Sequence, residues 1–168
     1  MKKMKEFRKI SVIGLGLIAS SICLTLRQKD PTIKLVGYDK DKVVRNRAKK
    51  IGLCKVESNL DNAVSGSQLI ILCVPVGQMQ AVTQRLKKII EPGTTITDVG
   101  SVKLSVIEEI ESNIESVGGK YVPSHPIAGT ERSGPDAGYA GLFEGRWCIL
   151  TPTKKTNKKA LNSLETFW

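Results

Sequence analysis

The chain has 168 residues, 40% hydrophobic and 25% charged, which excludes disordered, collagen-like and fibrous classes and suits one domain with its own core. Its 26 Lys+Arg against 16 Asp+Glu leave a formal charge of +10. The cations are mostly lysines in dispersed clusters (MKKMKEFRK, DKDKVVRNRAKK, TKKTNKK) and aromatics make up only 5%, so the charge reads as solvated surface that draws anionic ligands rather than as a nucleic-acid face.

The elements alternate strand and helix, the pattern of an α/β, doubly wound, mostly parallel sheet. A basic start precedes the uncharged run 10–26, which has the look of a secretory signal. Gly14 and Gly16 interrupt that run, no A-x-A pattern follows, and the next residues continue as the second half of a βαβ unit, so the fold explains it better than targeting does. It is also marginal for a membrane span, and no other long apolar segment exists. The first strand is expected at 9–13 and its helix at 16–28; the second strand at 33–38 and its helix at 41–51, with Val44, Ala48 and Ile51 on one face and Gly52 as the stop. A short strand at 55–57 and a small helix opening at Asn59 follow. The continuous apolar run 68–74 reads as a strand buried on both faces, ended by Pro75. A helix at 78–90 places Met79, Val82, Leu86 and Ile89 on one side, and Pro92-Gly93 turns the chain into a strand at 94–98. A helix at 103–116 carries Leu104, Ile107, Ile110 and Ile114; Gly118-Gly119 closes it before a strand at 120–122. The stretch 125–145 holds too many turn residues for regular structure, and 147–150 reads as a further strand. The last segment, 157–168, begins a helix with no C-cap glycine, and leaves Leu164, Phe167 and Trp168 with little to pack on unless it docks back on the sheet. Residues 1–8 thus form a basic tail, 9–152 a dinucleotide-binding domain, and 153–168 the start of a connecting helix.

Gly14-Leu15-Gly16-Leu17-Ile18-Ala19 is the G-x-G-x-x-G/A form of the dinucleotide fingerprint, between an apolar strand and an apolar helix. The first glycine permits the tight turn, the second lets a pyrophosphate approach the main chain, and the third small residue allows close helix–strand packing. Asp39 ends the second strand, where a carboxylate accepts from the ribose hydroxyls and repels a 2′-phosphate; NAD is therefore expected over NADP, with Arg45 and nearby lysines the argument for NADP. The plainer alternative is that the glycines serve turns and Asp39 caps a helix. Val74-Pro75 forms a stiff apolar wall at the same edge, either against the cofactor or simply as a strand terminus.

Two more segments stand at strand ends, where α/β enzymes place chemistry: Asp98-Val99-Gly100-Ser101-Val102-Lys103 and Ser124-His125-Pro126-Ile127-Ala128-Gly129-Thr130-Glu131. A hydroxyl, the only histidine and a carboxylate at one edge suit a hydrogen-bond partner, a proton acceptor and a gate, although a solitary histidine is more often structural. Cys23, Cys54, Cys73 and Cys148 lack metal-ligand spacing, so no metal is expected, and three lie in apolar runs typical of buried thiols in a reducing, cytoplasmic setting.

With GLGLIAS, GYD, TDVGSVK and HPIAGTERSGPDAG…LFEGRWCILTP, the sequence resembles the prephenate/arogenate (cyclohexadienyl) dehydrogenases of tyrosine biosynthesis over 9–168. The resemblance implies a Rossmann-type domain binding NAD and oxidative decarboxylation of prephenate or arogenate. In it, His125 takes the proton of the ring 4-hydroxyl, Ser101 orients that hydroxyl or the imidazole, Thr130 lies near the nicotinamide and Glu131 at the pocket mouth. Ala19 stands where the family more often has a third glycine. The resemblance also implies an all-helical C-terminal dimerisation domain, absent from this sequence, that supplies the arginine for the substrate carboxylate; nothing marks Arg132 as its substitute. Full-length members are expected to be homodimers, with no nucleic-acid or membrane partner. Other readings are a different NAD-dependent hydroxyacid dehydrogenase, which leaves HPIAGTE unexplained, and a non-catalytic dinucleotide-binding remnant.

Overall fold

The computed structural model describes residues 7–102 and 104–168. Most of the basic segment 1–8, and the expected helix start at Lys103, lie outside the described residues. Six strands form one parallel sheet: β1 (Lys9–Ile13), β2 (Lys34–Tyr38), β3 (Lys55–Val56), β4 (Leu69–Leu72), β5 (Thr95–Asp98) and β6 (Lys120–Tyr121), in the order β3-β2-β1-β4-β5-β6. Strand order therefore reverses between β1 and β4, opening a crevice beyond their carboxyl ends.

Alternation along the central strands feeds two helical layers. Ile10 and Val12 of β1, with Leu69 and Ile71 of β4, face one core, shared with Ile22 and Cys23 of α1 (Leu17–Lys29) and Ala48 of α2 (Lys42–Lys50). Ile13, Ile70 and Leu72 face the other, shared with α3 (Leu60–Val64), α4 (Val76–Leu86) and α5 (Leu104–Glu115) through Leu60, Met79, Leu86, Ile110 and Ile114. All four side chains of β4 are fully buried, at roughly 1.5–3 kcal/mol each, which is why this strand is continuous Leu and Ile. Ser11, a polar residue in the middle of β1, bonds to the Ala63 carbonyl and the Ser67 hydroxyl, both at 2.6 Å. The uncharged run 10–26 thus divides into β1, a loop and α1; no helix among the described residues is long and apolar enough to cross a membrane.

Several expectations need correction. α4 begins at Val76, because Pro75 serves as its N-cap, where a missing N–H costs nothing. It ends at Leu86, and tight turns carry the chain through Ile90. Leu104 and Ile51 do not join their apolar faces: Leu104 opens α5 at the sheet edge and is 89% exposed, and Ile51 is a C-cap. The stretch expected to be irregular contains β7 (Ser124–Pro126), paired antiparallel with β8 (Cys148–Leu150), and a 3-10 turn at Pro135–Ala137. Between these elements the loop lies on α1, where Thr25 Oγ1 donates to the Ala140 carbonyl at 2.6 Å and Tyr139 N–H to Ser21 Oγ at 3.1 Å. A Cβ at Gly138 would come within 2.4 Å of Ser20 Cβ, so only glycine allows that approach.

The terminal helix α6 (Lys158–Phe167) docks back on the sheet. Ala160 and Leu164 are buried in the core that holds Ile10 and Phe7. Phe167 meets Phe7 edge-on at 6.4 Å and Trp168 at 5.2 Å, and Trp168 also meets Phe143. The side chains that the sequence left unpartnered, and Phe7 within the expected tail, therefore share one aromatic cluster.

Candidate functional site

The turn after β1 is glycine by necessity. Gly14 has φ +91°, and a Cβ there would lie 2.8 Å from both the carbonyl carbon and oxygen of Cys73 and 3.0 Å from Val74 Cγ1. Cys73 and Val74 thus back directly onto the glycine turn, and Pro75 is exposed beyond them. Gly16 differs, because a Cβ there would meet nothing within 4 Å. The protein's own packing gives no reason for glycine at that point; close approach of a ligand from outside does. Gly16 is the N-cap of α1, whose opening residues Leu17, Ile18 and Ala19 bring no acidic group and no capping side chain to the free N–H groups. Ala19 is fully buried and lets α1 lie close on the sheet.

Asp39 follows β2 and reaches back to this loop. Its Oδ2 accepts the Leu15 N–H at 2.8 Å, and its Oδ1 accepts the Asp41 N–H at 2.9 Å. Each oxygen keeps lone-pair capacity for a hydroxyl donor. Arg45 Nη1 donates to the carbonyls of Asp39 and Lys40 at 2.6 and 2.9 Å, and its guanidinium lies 5.8 Å from the Tyr38 ring centroid. These bonds turn Nη1 toward main-chain oxygens.

Across the edge, β5 ends in Asp98, a fully buried carboxylate. Oδ2 accepts from Gly100 N–H at 2.9 Å; Oδ1 accepts from the Tyr121 hydroxyl at 2.8 Å and from Ser124 N–H at 3.4 Å. Ser124 Oγ donates to the Asp98 carbonyl at 2.6 Å and lies 2.9 Å from Thr97 Oγ1. Burial first, and then the Asp98 charge, push the Tyr121 phenol far above its usual range; burial and the same charge do so for the Cys73 thiol. Ser101, exposed, follows Gly100, and half-buried His125 follows Ser124 in β7, opposite Ile149. The face of β7–β8 bearing His125 also carries Ile127, Trp147 and Ile149, all exposed.

Thr130 and Glu131 lie in the exposed loop after β7. Thr130 Oγ1 accepts the Arg132 N–H at 3.2 Å, and among the described residues no hydrogen bond joins Thr130 or Glu131 to Ser101, His125 or the glycine loop. No role for Asp98 is legible in the sequence, although a carboxylate at the end of a strand beside a Gly-Ser turn marks the position. Of the cysteines, Cys23 donates to the Cys54 sulfur, an interaction that raises the Cys23 thiol and, helped by Arg27, lowers that of Cys54. Cys23, Cys54 and Cys73 are thiols outside any disulfide.

Residues 22–168 match the family described as prephenate dehydrogenase, nucleotide-binding domain. The chain belongs to this family. The match begins inside α1, after the glycine loop. Cyclohexadienyl dehydrogenase of Zymomonas mobilis is 39% identical over 166 residues, covering 98% of this chain and 56% of the relative. Prephenate dehydrogenase of Bacillus subtilis is 34% identical, covering 98% and 44%. The crystal structure of prephenate dehydrogenase from A. aeolicus in complex with hydroxyphenyl propionate and NAD+ superposes with a TM-score of 0.88 at 30% identity, covering 96% of this chain and 56% of that one. This chain therefore spans about half the length of the relatives it matches. Imine reductase from Pseudomonas sp., at 19% identity and a TM-score of 0.69, shares the fold.

Proposed function

We propose that this chain is the NAD-binding unit of an enzyme that oxidatively decarboxylates prephenate or arogenate. The observation that carries the reading is the meeting, at one sheet edge, of a glycine cradle and the Ser101 and His125 segments, in a chain of the prephenate dehydrogenase family. The cradle fits a dinucleotide: the open face of Gly16 and the N–H groups of Leu17, Ile18 and Ala19 suit a pyrophosphate, and Asp39 suits ribose hydroxyls. Its carboxylate disfavours a 2′-phosphate, and the Arg45 Nη1 group is already held by two carbonyls, so NAD is the cofactor read for this site. When bound, NAD supplies the hydride acceptor. Val74 and Pro75 wall the cofactor side.

His125 Nε2 or Nδ1 takes the proton of the substrate ring's 4-hydroxyl as that carbon gives up its hydride and becomes a carbonyl-type centre, and the ring carboxylate leaves as CO2. Ser101 Oγ orients the same hydroxyl or the imidazole. Thr130 lies near the nicotinamide side of the pocket and Glu131 at its mouth. The NAD reading is supported by the complex of the A. aeolicus relative, whose ligand is a hydroxyphenyl acid.

Calorimetry with NAD, followed by an NADH-fluorescence assay with prephenate, tests the assignment. His125→Ala is expected to keep NAD affinity and lose turnover, whereas Gly16→Val loses NAD. Equal loss of NAD binding in both variants overturns the role given to His125. NAD binding with no turnover in the unsubstituted chain assigns it the nucleotide-binding part of the reaction alone.

A further inference from the structure

We infer that Asp98 is the positioning residue that fixes Ser101 and His125 relative to one another. Its two carboxylate oxygens hold different segments. Oδ2 takes the Gly100 N–H and so sets the turn that presents Ser101, while Oδ1 takes the Ser124 N–H and so sets the strand that presents His125. The main chain of Asp98 adds a second tie to the β7 side, because its carbonyl accepts the Ser124 hydroxyl. One side chain with two torsions thus bonds both segments that carry the groups assigned to the reaction.

Burial gives this tie its stiffness. A fully buried carboxylate is tolerated only when donors surround it, and each donor is then costly to withdraw. The Tyr121 hydroxyl donates to Oδ1 at 2.8 Å from the β6 side. Thr97 Oγ1, which donates to the Val122 carbonyl at 2.7 Å and contacts Ser124 Oγ, braces the same corner. The local sequence does not require an acid here: a parallel strand can end in any small polar residue, and the Ser101 turn needs only one acceptor for its N–H. Two oxygens pointing to two segments are what a carboxylate adds, and a single fixed carboxylate holds a separation to the tolerance a proton transfer demands.

The consequence for turnover rests on the roles proposed for Ser101 and His125; the mechanical link does not. Asn at position 98 keeps one acceptor and turns an N–H2 toward the other segment, so one arm must open. NMR of the 15N-labelled chain reads this directly, because His125 is the only histidine and its imidazole gives one set of signals. For Asp98→Asn, the Gly100 and Ser101 amides and the His125 imidazole are expected to shift together, while the NAD dissociation constant stays within about threefold. In the prephenate assay kcat falls at least about tenfold with KM changed far less. Ser11→Ala is the matched control: it removes buried hydrogen bonds in β1 and lowers the melting temperature, yet leaves those signals and the kcat/KM split in place. Should Asp98→Asn not fold, Ser124→Ala removes the hydroxyl tie between the β7 side and the Asp98 carbonyl and is expected to shift His125 but not Gly100. Ser101 and His125 signals that move no more in Asp98→Asn than in Ser11→Ala, or a His125 signal that moves no more in Ser124→Ala than in Ser11→Ala, overturn the inference. A parent chain that binds no NAD counts against the proposed function, and the NMR comparison still decides the link.

Discussion

At the β1 end of the sheet edge the proposed binding surface is main chain: a glycine with φ +91°, an N-cap glycine open to the outside, and the first N–H groups of α1. At the β5 end it is side chains, a serine and a histidine on separate segments joined through a buried acid. The first region tolerates no added atom at Gly14 but is indifferent to most side chains around it. The second depends on a few polar groups with correct partners and distances. A cradle for a cofactor shared by many enzymes can be backbone, whereas a group that moves one proton must be a particular side chain in a particular place.

Breaking the main-chain region is expected to have the largest effect. Gly14→Val places a branched Cβ at positive φ against the Cys73 carbonyl, and is expected to cost more than about 3 kcal/mol and to abolish NAD binding, read by urea unfolding and calorimetry. The side-chain region yields less. Tyr121→Phe removes one donor to Asp98 and is expected to cost about 1–2 kcal/mol by the same unfolding measurement. It also changes the alkaline limb. The folded state holds the Tyr121 phenol neutral well beyond its ordinary range, so above about pH 10 the unfolded chain binds fewer protons and stability falls as pH rises. The Cys73 thiol, also raised, adds to that fall from about pH 8.5. The deficit of Tyr121→Phe against the parent is therefore expected to shrink above about pH 10; a constant deficit means that the phenol ionises alike in both states. Smallest is the ion pair between Arg47 of α2 and Asp136 of the 3-10 turn, where the guanidinium holds the carboxyl below its usual range but both side chains are about half exposed. Arg47→Ala is expected to shift the melting temperature by less than about 2 °C; a larger drop would make this pair a clamp on the loop that lies on α1.

The same contrast governs what could be read from the sequence. The glycine turn, the acid after the second strand and the parallel character of the sheet were legible because each is a local pattern: spaced glycines, a strand-ending acid, an apolar run such as LIIL buried on both faces. Asp98 was not, because its meaning lies in Tyr121 and Ser124, 23 and 26 residues onward, brought back by β6 and β7. β7 escaped notice since three residues amid glycines and prolines form a strand only when β8 is beside them. The docking of α6 likewise depended on Phe7, at the far end of the chain. The helix start at Val76 shows a local signal read the wrong way round, as Pro75 opens α4 as well as ending the strand segment before it.

Asp39 carries an implication for how such a domain diversifies. Its carboxylate is the acceptor for the Leu15 N–H as well as the group proposed to face the ribose, so on that reading cofactor preference and the set of the glycine loop are inherited together. A lineage that exchanged this acid for a neutral residue to admit a phosphorylated dinucleotide would at the same stroke orphan an N–H in the loop that has to hold the pyrophosphate. Selection at position 39 therefore acts on the pair, and a change of cofactor in this fold calls for a new acceptor at Leu15 before it calls for a new cation.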